Sequence, residues 1–198
     1  MDANSNMDGP RAELLGILRK KSVFHGDFTL SSGAKSKYYV DCRLTTLDAR
    51  GAWLIGQLMH ARIRQAEKEK NLHIDSVGGL TMGADPVALA TGIYSGYAKD
   101  PEPFRVFCVR KEPKGHGKGK QIEGNFKAGD SVVVLEDVVT SGGSAINAIN
   151  AVIKEGGKIA LVASLVDRNE GGREKIEGMG YPLLALFNKE ELLGNPPA

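Results

Sequence analysis

Apolar residues along the chain alternate between short unbroken runs and stripes of helical period. Residues 132–135, three valines and a leucine, form one such run, which is typical of a strand buried on both faces of a sheet. Further strand-like segments occupy 74–80, 104–109, 159–166 and 182–187, and helix-period stripes fall between them, as at 146–153. Strands that alternate with helices predict an α/β fold with a doubly wound parallel sheet.

The first quarter of the chain predicts a smaller unit in front of this sheet, which we call the hood. Pro10 suits the first turn of a helix with a leucine stripe on one face. Two short extended runs on either side of Ser31-Ser32-Gly33 predict a hairpin. Since no repeat or linker interrupts the chain, we expect one domain over 1–198, with hood elements at about 10–46 and a core at about 74–190.

Composition narrows the class of protein. A chain of 198 residues suits one compact domain, and its net charge of +2 gives no case for a polybasic nucleic-acid or membrane partner. Cys42 and Cys108 lie far apart without metal-ligand spacing, which favours reduced thiols. No apolar run approaches the roughly 20 residues that span a bilayer, and the polar N-terminus lacks a signal-peptide core. We therefore expect a cytoplasmic protein.

The segment from 132 to 144 carries the first candidate chemistry. Two carboxylates, Glu136 and Asp137, follow the apolar run where its strand is expected to end, and a small-residue loop then leads into a helix. Backbone N–H groups and the positive helix end can bind a phosphate, and carboxylates can accept hydrogen bonds from sugar hydroxyls, with or without a metal. Acidic strand ends and glycine turns are also common structural features, so the residues alone leave both interpretations open.

Residues 110–121 place a positive charge every two or three positions, interleaved with glycine. Such a segment cannot form a core, so a solvated loop, a nucleic-acid tail and a mobile cationic flap over a polyanion all remain. No aromatic residue separates the cations, which argues against base stacking, and the flap fits better. A second strand–glycine loop–helix unit at 74–93 is a weaker signal. Arg168, placed just after a strand, is another, since it could equally be a surface residue.

These segments resemble a known family. The string from Val132 to Ser144 resembles the signature for phosphoribosyl pyrophosphate (PRPP) in type I phosphoribosyltransferases: an apolar run, two acids, two or three residues, then Thr/Ser-Gly-Gly/Thr-Ser/Thr. Three further blocks resemble the orotate phosphoribosyltransferase family in particular. They are the hood segment 28–43, the Arg-Lys-x-x-Lys-x-His-Gly flap at 110–117, and the Asp-Arg pair at 167–168. The resemblance covers about 24–190.

The resemblance implies the type I phosphoribosyltransferase fold with a hood and a flap, and conversion of orotate and PRPP to orotidine 5′-monophosphate and pyrophosphate, in de novo pyrimidine biosynthesis. It implies catalytic roles for Lys114, His116 and Asp137. It implies that orotate lies against Tyr38, Tyr39, Thr140 and Arg168. The residues implied to bind PRPP are Arg110, Lys111, Lys114, His116, Glu136, Asp137, Val138, Val139, Thr140, Ser141, Gly142, Gly143 and Ser144.

The resemblance also implies a Mg²⁺ cofactor and a homodimer. The metal would be held mainly by PRPP, pyrophosphate and water, with Asp137 as the protein group that could join them. The flap of one subunit would close over the site of the other. Some members carry lysines where this chain has Ser31 and Met82, so those two contacts do not transfer and pyrophosphate would depend more on the flap and the metal.

Two alternatives share the PRPP motif. A purine phosphoribosyltransferase would need neither Arg168 nor the Lys-x-His flap. A non-catalytic PRPP-sensing regulator usually carries a DNA-binding module, and the roughly twenty residues before the hood leave no room for one.

Overall fold

The computed structural model describes residues 8–29, 33, 35–112 and 120–194. The described helices are α1 (Asp8–Lys21), α2 (Arg43–Thr46), α3 (Ala49–Lys70), α4 (Ala84–Tyr97), α5 (Gly143–Lys154), α6 (Gly172–Gly178) and α7 (Lys189–Leu193). The described strands are β1 (Val23–Thr29), β2 (Lys35–Val40), β3 (Ser76–Leu80), β4 (Arg105–Val109), β5 (Ile122–Gly124), β6 (Ser131–Val139), β7 (Lys158–Asp167) and β8 (Leu183–Asn188).

The central sheet has the strand order β5-β4-β3-β6-β7-β8 in the described part of the chain. β3, β4, β6, β7 and β8 run parallel to one another. This confirms the predicted α/β fold with a doubly wound parallel sheet. The structure adds a short antiparallel edge strand, β5, which pairs with β4 and was not predicted.

Alternate residues of β6 supply two separate apolar layers. Val132 and Val134 pack with α5, whereas Val133 and Leu135 pack with α1, α3 and α4. Successive side chains of a strand point to opposite faces, so a continuous apolar run is what a strand covered by helices on both sides requires. The unbroken run in the sequence therefore reflects a sheet that is covered on both faces.

The hood is the antiparallel pair of β1 and β2, with Val23 opposite Val40. This confirms the expected hairpin, while Ser31 and Ser32 lie outside the described residues. α3 begins after Asp48, whose side chain accepts a hydrogen bond from the Gly51 backbone N–H at 2.9 Å. Such a cap satisfies one of the free N–H groups of the first helical turn and fixes where the chain leaves the hood.

β6 is longer than expected. The strand does not end before the acidic pair but continues through Glu136 and Asp137 to Val139. On one side it stays paired with β7 up to Val139 opposite Asp167. On the other side its pairing with β3 stops at Val134 opposite Gly78. The acidic pair thus lies in a strand segment with one open edge.

Candidate active site

The open edge of β6 belongs to a crevice at the carboxyl end of the sheet. The chain proceeds from β3 to β4 in one direction and from β6 to β7 and β8 in the other. Ligands of open α/β sheets bind at such a switch point. Two backbone hydrogen bonds join the loops here: the Thr81 N–H donates to the Val109 carbonyl at 2.8 Å, and the Arg168 N–H donates to the Val139 carbonyl at 2.9 Å.

The segment Thr140–Ser144, which we call the phosphate loop, lies on one side of this crevice. It forms a pocket of about 220 Å³ together with side chains and backbone of β6 and α5. α5 begins at Gly143, and the N–H groups of its first turn have no intrahelical acceptor. The pocket therefore combines free donors with the positive end of a twelve-residue helix. The residues that line it are Glu136, Val138, Val139, Thr140, Ser141, Gly142, Gly143, Ser144 and Ala145.

Two glycines allow the phosphate loop to fold as it does. Gly142 has φ +80°, in the left-handed region that favours glycine. Gly172, at the start of α6, packs so closely that a Cβ there would lie 2.5 Å from the Thr140 carbonyl oxygen and 2.8 Å from the Gly142 nitrogen. The turn between β7 and α6 thus packs directly against the phosphate loop. Sequence reasoning missed this contact, although the adjacent glycines Gly171 and Gly172 were a signal for it.

The two carboxylates of the acidic pair point to opposite faces of β6, because successive strand side chains alternate. Glu136 lines the phosphate pocket and is 4% exposed. Its Oε1 has no hydrogen-bond partner among the described residues. Burial, with a smaller contribution from the Asp137 charge, raises the pKa of Glu136 to about 8. Burial therefore favours the protonated form of Glu136 at neutral pH.

Asp137 faces the other side of the sheet and meets the loop after β3. Its Oδ1 accepts a hydrogen bond from the Val138 N–H at 2.9 Å. A Cβ on Gly83 would lie 2.5 Å from the same oxygen, so only glycine lets this loop approach the carboxylate. Burial raises the pKa of Asp137, whereas backbone hydrogen bonds and Arg43 act in the opposite direction.

The donor set suits a magnesium ion that keeps most of its water. Within the described residues no group of three or more His, Cys, Asp and Glu side chains could hold a metal. One half-buried carboxylate, Asp137, lies beside the loop that contains Gly83, and Mg²⁺ is commonly bound through one or two carboxylates together with substrate phosphates. The residues present therefore fit the implied role of Asp137 as a contributor.

At the same edge of the sheet, just after β7, Arg168 lies next to Tyr38 of the hood. We call this pair the base side, because the resemblance implies that the nucleobase lies against it. Arg168 is 8% exposed, and its Cζ lies 5.3 Å from the centre of the Tyr38 ring. Its Nη2 donates to the Tyr38 hydroxyl at 3.3 Å and lies 2.8 Å from Oε1 of Glu170. Tyr38 and Arg168 are therefore together, as the resemblance implies, and Arg168 is not a plain surface residue.

Tyr39 lies elsewhere. It points to the opposite face of β2, with ring centres 5.7 Å from Phe28 and 6.5 Å from Phe24. The Tyr39 side chain is 39% exposed and belongs to a cluster of aromatic rings in the hood. It is therefore not part of the base side. The structure thus brings one of the two predicted tyrosines to the base side.

The backbone that carries Arg168 is held at several points. The buried Asp167 carboxylate accepts from the Asn169 N–H at 2.9 Å and from Arg173 Nε at 2.8 Å. Asn169 has φ 52°, which asparagine tolerates better than most residues, and its side chain donates to Glu190 at 2.8 Å. These contacts place the guanidinium before any ligand arrives.

Arg110 and Gln121, the first and last residues of the flap segment 110–121, continue the pairing of β4 with β5. The Arg110 N–H donates to the Gln121 carbonyl at 2.9 Å, and its guanidinium lies 3.6 Å from Glu123. Lys111 is exposed beside it. Lys114 and His116 lie outside the described residues. Arg110 and Lys111 therefore flank the crevice at the carboxyl end of β4, next to the loop that contains Thr81.

That loop has features which sequence reasoning did not anticipate. Met82, one of the two positions at which the resemblance allows a lysine, is 66% exposed. Thr81 Oγ1 donates to Asp85 Oδ2 at 2.5 Å, so the hydroxyl and the first turn of α4 are tied together. Glu170 was also missed, although it follows Arg168 by only two residues and carries the opposite charge.

Comparisons with known proteins show which family the chain belongs to. No family model matches the chain. The chain is 46% identical over 186 residues to the orotate phosphoribosyltransferase of Aquifex aeolicus (strain VF5), covering 92% of this chain and 97% of that protein. No described helix is long and apolar enough to cross a membrane.

Solved structures give the same assignment. Two crystal structures of Mycobacterium tuberculosis H37Rv orotate phosphoribosyltransferase match with TM-scores of 0.79 and 0.76 and identities of 42% and 39%. They cover 92% and 93% of this chain and 98% and 99% of theirs, and the second contains PRPP. The adenine phosphoribosyltransferase of Saccharomyces cerevisiae, at 16% identity over 88% of this chain and 99% of that one, shares the fold with a TM-score of 0.61. On the strength of these identities and coverages, the chain belongs to the orotate phosphoribosyltransferase family of transferases.

Proposed function

We propose that the protein transfers the 5-phosphoribosyl group of PRPP to N1 of orotate, with Mg²⁺, and thereby makes orotidine 5′-monophosphate and pyrophosphate in de novo pyrimidine biosynthesis. In this reaction the ribose C1 exchanges its bond to the pyrophosphate oxygen for a bond to N1, and N1 gives up its proton. The observation that carries the proposal is a phosphate loop and a buried guanidinium at the same edge of the sheet, joined by the backbone hydrogen bond from Arg168 to Val139.

The phosphate loop accounts for the 5′-phosphate. The pocket over Thr140–Ser144 has backbone donors and a helix N-terminus and contains no basic side chain in its lining. Its volume of about 220 Å³ accommodates a phosphate with part of a sugar. Glu136 and Asp137, on the strand that leads into the loop, are the acceptors for ribose hydroxyls. A PRPP complex of a relative from M. tuberculosis supports this class of ligand.

The base side accounts for orotate. Its carboxylate would pair with Arg168, because a planar guanidinium can donate two parallel hydrogen bonds to a carboxylate. The Tyr38 ring, next to this guanidinium, offers an apolar face to the flat pyrimidine. A purine lacks the carboxylate and would leave Arg168 without its ligand, so this arrangement favours orotate over a purine base.

Leaving of pyrophosphate develops negative charge at the end of the crevice formed by the loop 81–83 and the flap base. Arg110 and Lys111 lie at this end, and we propose that Lys114 and His116 join them when the flap closes. Fixed positive charge aimed at the leaving group stabilises the transition state more than the ground state. When bound, Mg²⁺ would neutralise phosphate charge there. Holding N1 and C1 in line supplies the remaining acceleration through positioning.

A direct assay tests the proposal. Loss of orotate absorbance should require both PRPP and Mg²⁺, and adenine, hypoxanthine and uracil should each be poor substrates in parallel reactions. Turnover of adenine or hypoxanthine in preference to orotate would replace the proposal with a purine activity.

We also propose that the protein works as a homodimer, and an exposed apolar surface on α3 and α4 supports this. Leu89, Ile93 and Tyr97 are spaced by four residues, so they share one face of α4, and they are 55%, 57% and 65% exposed. Trp53 of α3 extends the surface, with its ring centre 5.0 Å from that of Tyr97. A contiguous patch of this kind is typical of a protein interface, and we call it the α3–α4 patch.

A charge substitution tests the dimer. Ile93→Glu should shift the protein to monomers in light-scattering chromatography. Ile153→Glu, at an equally apolar and 47% exposed position on α5, should not.

A second experiment tests whether the flap of one subunit serves the site of the other. A Lys114→Ala chain mixed with an Asp137→Asn chain should then regain partial activity. Mixed dimers without recovery would show that each flap serves its own subunit. The cytoplasmic location stays a prediction.

A further inference from the structure

The guanidinium of Arg168 already has a carboxylate against it. Glu170 Oε1 lies 2.8 Å from Nη2, and the Tyr38 hydroxyl donates to the same Glu170 oxygen at 3.3 Å. An arginine can receive a carboxylate along two edges, Nε with Nη2 or Nη1 with Nη2. Both edges include Nη2. Nη2 carries two N–H groups, so Glu170 takes one of them and places its negative charge beside the donor that either bidentate arrangement needs.

Arg168 Nε, which forms one edge together with Nη2, is buried and makes no hydrogen bond to the described residues. A buried N–H group without an acceptor costs free energy, so an incoming carboxylate gains from pairing with Nε. To use the full edge it must also take Nη2, and two carboxylates at one nitrogen repel each other.

We propose that Glu170 is an internal competitor for the substrate's carboxylate: it holds Arg168 in the empty site and must leave when orotate binds. This inference rests on the proposed function, since it takes Arg168 as the carboxylate-binding residue. It assigns to Glu170 a control of how tightly orotate and its nucleotide product bind. Glu170 acts through Arg168 and is a positioning residue.

The structure shows which partner would move. The Glu170 side chain is 31% exposed, whereas that of Arg168 is 10% exposed. Glu170 precedes Gly171, which has φ +85° and leads into α6. Arg168 is fixed by its backbone bond to Val139 and lies against the Tyr38 ring. The carboxylate of Glu170 can turn into water at little cost because partly exposed ion pairs are weak.

The same exchange would assist product release. When orotidine 5′-monophosphate leaves, a bare buried guanidinium would remain unless another acceptor returned to it. Glu170 supplies that acceptor from two residues away, so the empty site keeps a neutralised, oriented arginine. The consequence is weaker binding of both orotate and product than Arg168 alone would give.

The substitution Glu170→Gln tests this, because it removes the charge and keeps the size. We expect the KM for orotate to fall about three- to tenfold, and the Kd for orotidine 5′-monophosphate, measured by calorimetry, to fall by the same factor. This range lies between the effect of losing an exposed ion pair and that of losing a hydrogen bond to a charged group. The KM for PRPP should not change, and kcat should stay equal or fall as product release slows. Glu174→Gln, at an exposed position in the first turn of α6, is the matched control and should alter none of these values.

An unchanged or higher KM for orotate in Glu170→Gln would overturn the proposal, since a residue that merely orients Arg168 would weaken binding when altered. Tightening of orotate and PRPP by the same factor would also overturn it, because competition at Arg168 concerns only the carboxylate. Failure of the proposed function has a different signature, in which the wild-type protein shows no turnover of orotate or Arg168→Ala leaves its KM unchanged.

Discussion

The phosphate loop and the base side of the crevice differ in which atoms would meet the ligand. The phosphate loop presents mainly backbone groups from one continuous stretch, residues 136–145. The base side presents side chains from the hood and from the β7–α6 turn, with Tyr38 and Arg168 separated by 130 residues in the chain. A backbone site depends on local conformation, whereas a side-chain site depends on how the hood packs onto the core.

This difference suggests a division of labour within one crevice. On the proposed function, backbone donors would recognise the phosphate of a ribosyl ligand whatever base it carries. A guanidinium and an aromatic ring can distinguish one base from another. Changes on the two sides should therefore have separable effects on PRPP and on orotate.

Among these substitutions, those at Arg168 should show the largest difference between the effect on orotate and the effect on PRPP. Losing a hydrogen bond to a charged group costs about 1.5–3 kcal/mol, so Arg168→Ala should weaken orotate binding about ten- to a hundredfold. The KM for PRPP should change little, since its phosphate contacts remain. Arg168→Lys should recover only part of the loss, because an ammonium cannot form the forked pair. Equal losses for both substrates would erase the distinction between the two sides.

On the phosphate side, Gly172→Ala should give the opposite pattern. The added Cβ would lie 2.5 Å from the Thr140 carbonyl oxygen, so the loop must shift. We expect the KM for PRPP to rise on the order of tenfold, since a displacement of the donors weakens phosphate hydrogen bonds. Gly178→Ala is the control, because a Cβ there meets nothing within 4 Å. An unaffected KM for PRPP in Gly172→Ala would show that the loop does not depend on this support.

The acidic pair adds a pH-dependent test of the phosphate side. The pKa of Glu136 is raised from 4.5 to about 8 in the folded protein. Between these values the folded state holds a proton that the unfolded state has lost, so this group lowers the free energy of unfolding as pH rises, until about pH 8. At 1.36 kcal/mol per pKa unit, the full effect of this shift is about 5 kcal/mol, as an upper bound.

Glu136→Gln should remove this dependence. In urea unfolding without ligand, the variant should gain stability over the wild type from pH 5 to pH 9, by about 1–3 kcal/mol after allowance for relaxation around the charge. Glu174→Gln should track the wild type at every pH. A difference between Glu136→Gln and wild type that stays constant with pH would mean that Glu136 is ionised in the folded protein at neutral pH.

The smallest effect should distinguish the two tyrosines. Tyr38→Ala removes the ring beside Arg168 and should raise the KM for orotate about fivefold, within the range of an aromatic contact. Tyr39→Ala should leave the KM for orotate nearly unchanged and instead lower the thermal midpoint, because its ring packs with Phe24 and Phe28. If both substitutions raised the KM for orotate by the same factor, both rings would have to lie against the orotate ring.

The sequence by itself determined the parallel strands of the sheet, the hairpin and the small-residue loop before α5, because each depends on local signals. Strand burial appears as an unbroken apolar run, and a small-residue loop before a helix is one continuous stretch. The extent of β6 could not be predicted, since it depends on which neighbour still pairs with it. Pairing with β7 carries the strand through the acidic pair, while the end of β3 leaves one edge open.

Only the tertiary structure decided which side chains meet. Once β6 continues through them, Glu136 and Asp137 face opposite sides of the sheet, and their different surroundings follow from that. Tyr38, and not Tyr39, lies at Arg168 because the alternation of β2 is fixed by how the hood sits on the core. Glu170 was visible in the sequence, yet its contact with Nη2 depends on the turn that Asp167 and Asn169 hold. Local patterns fix backbone conformation, whereas contacts between distant side chains depend on packing that no local pattern encodes.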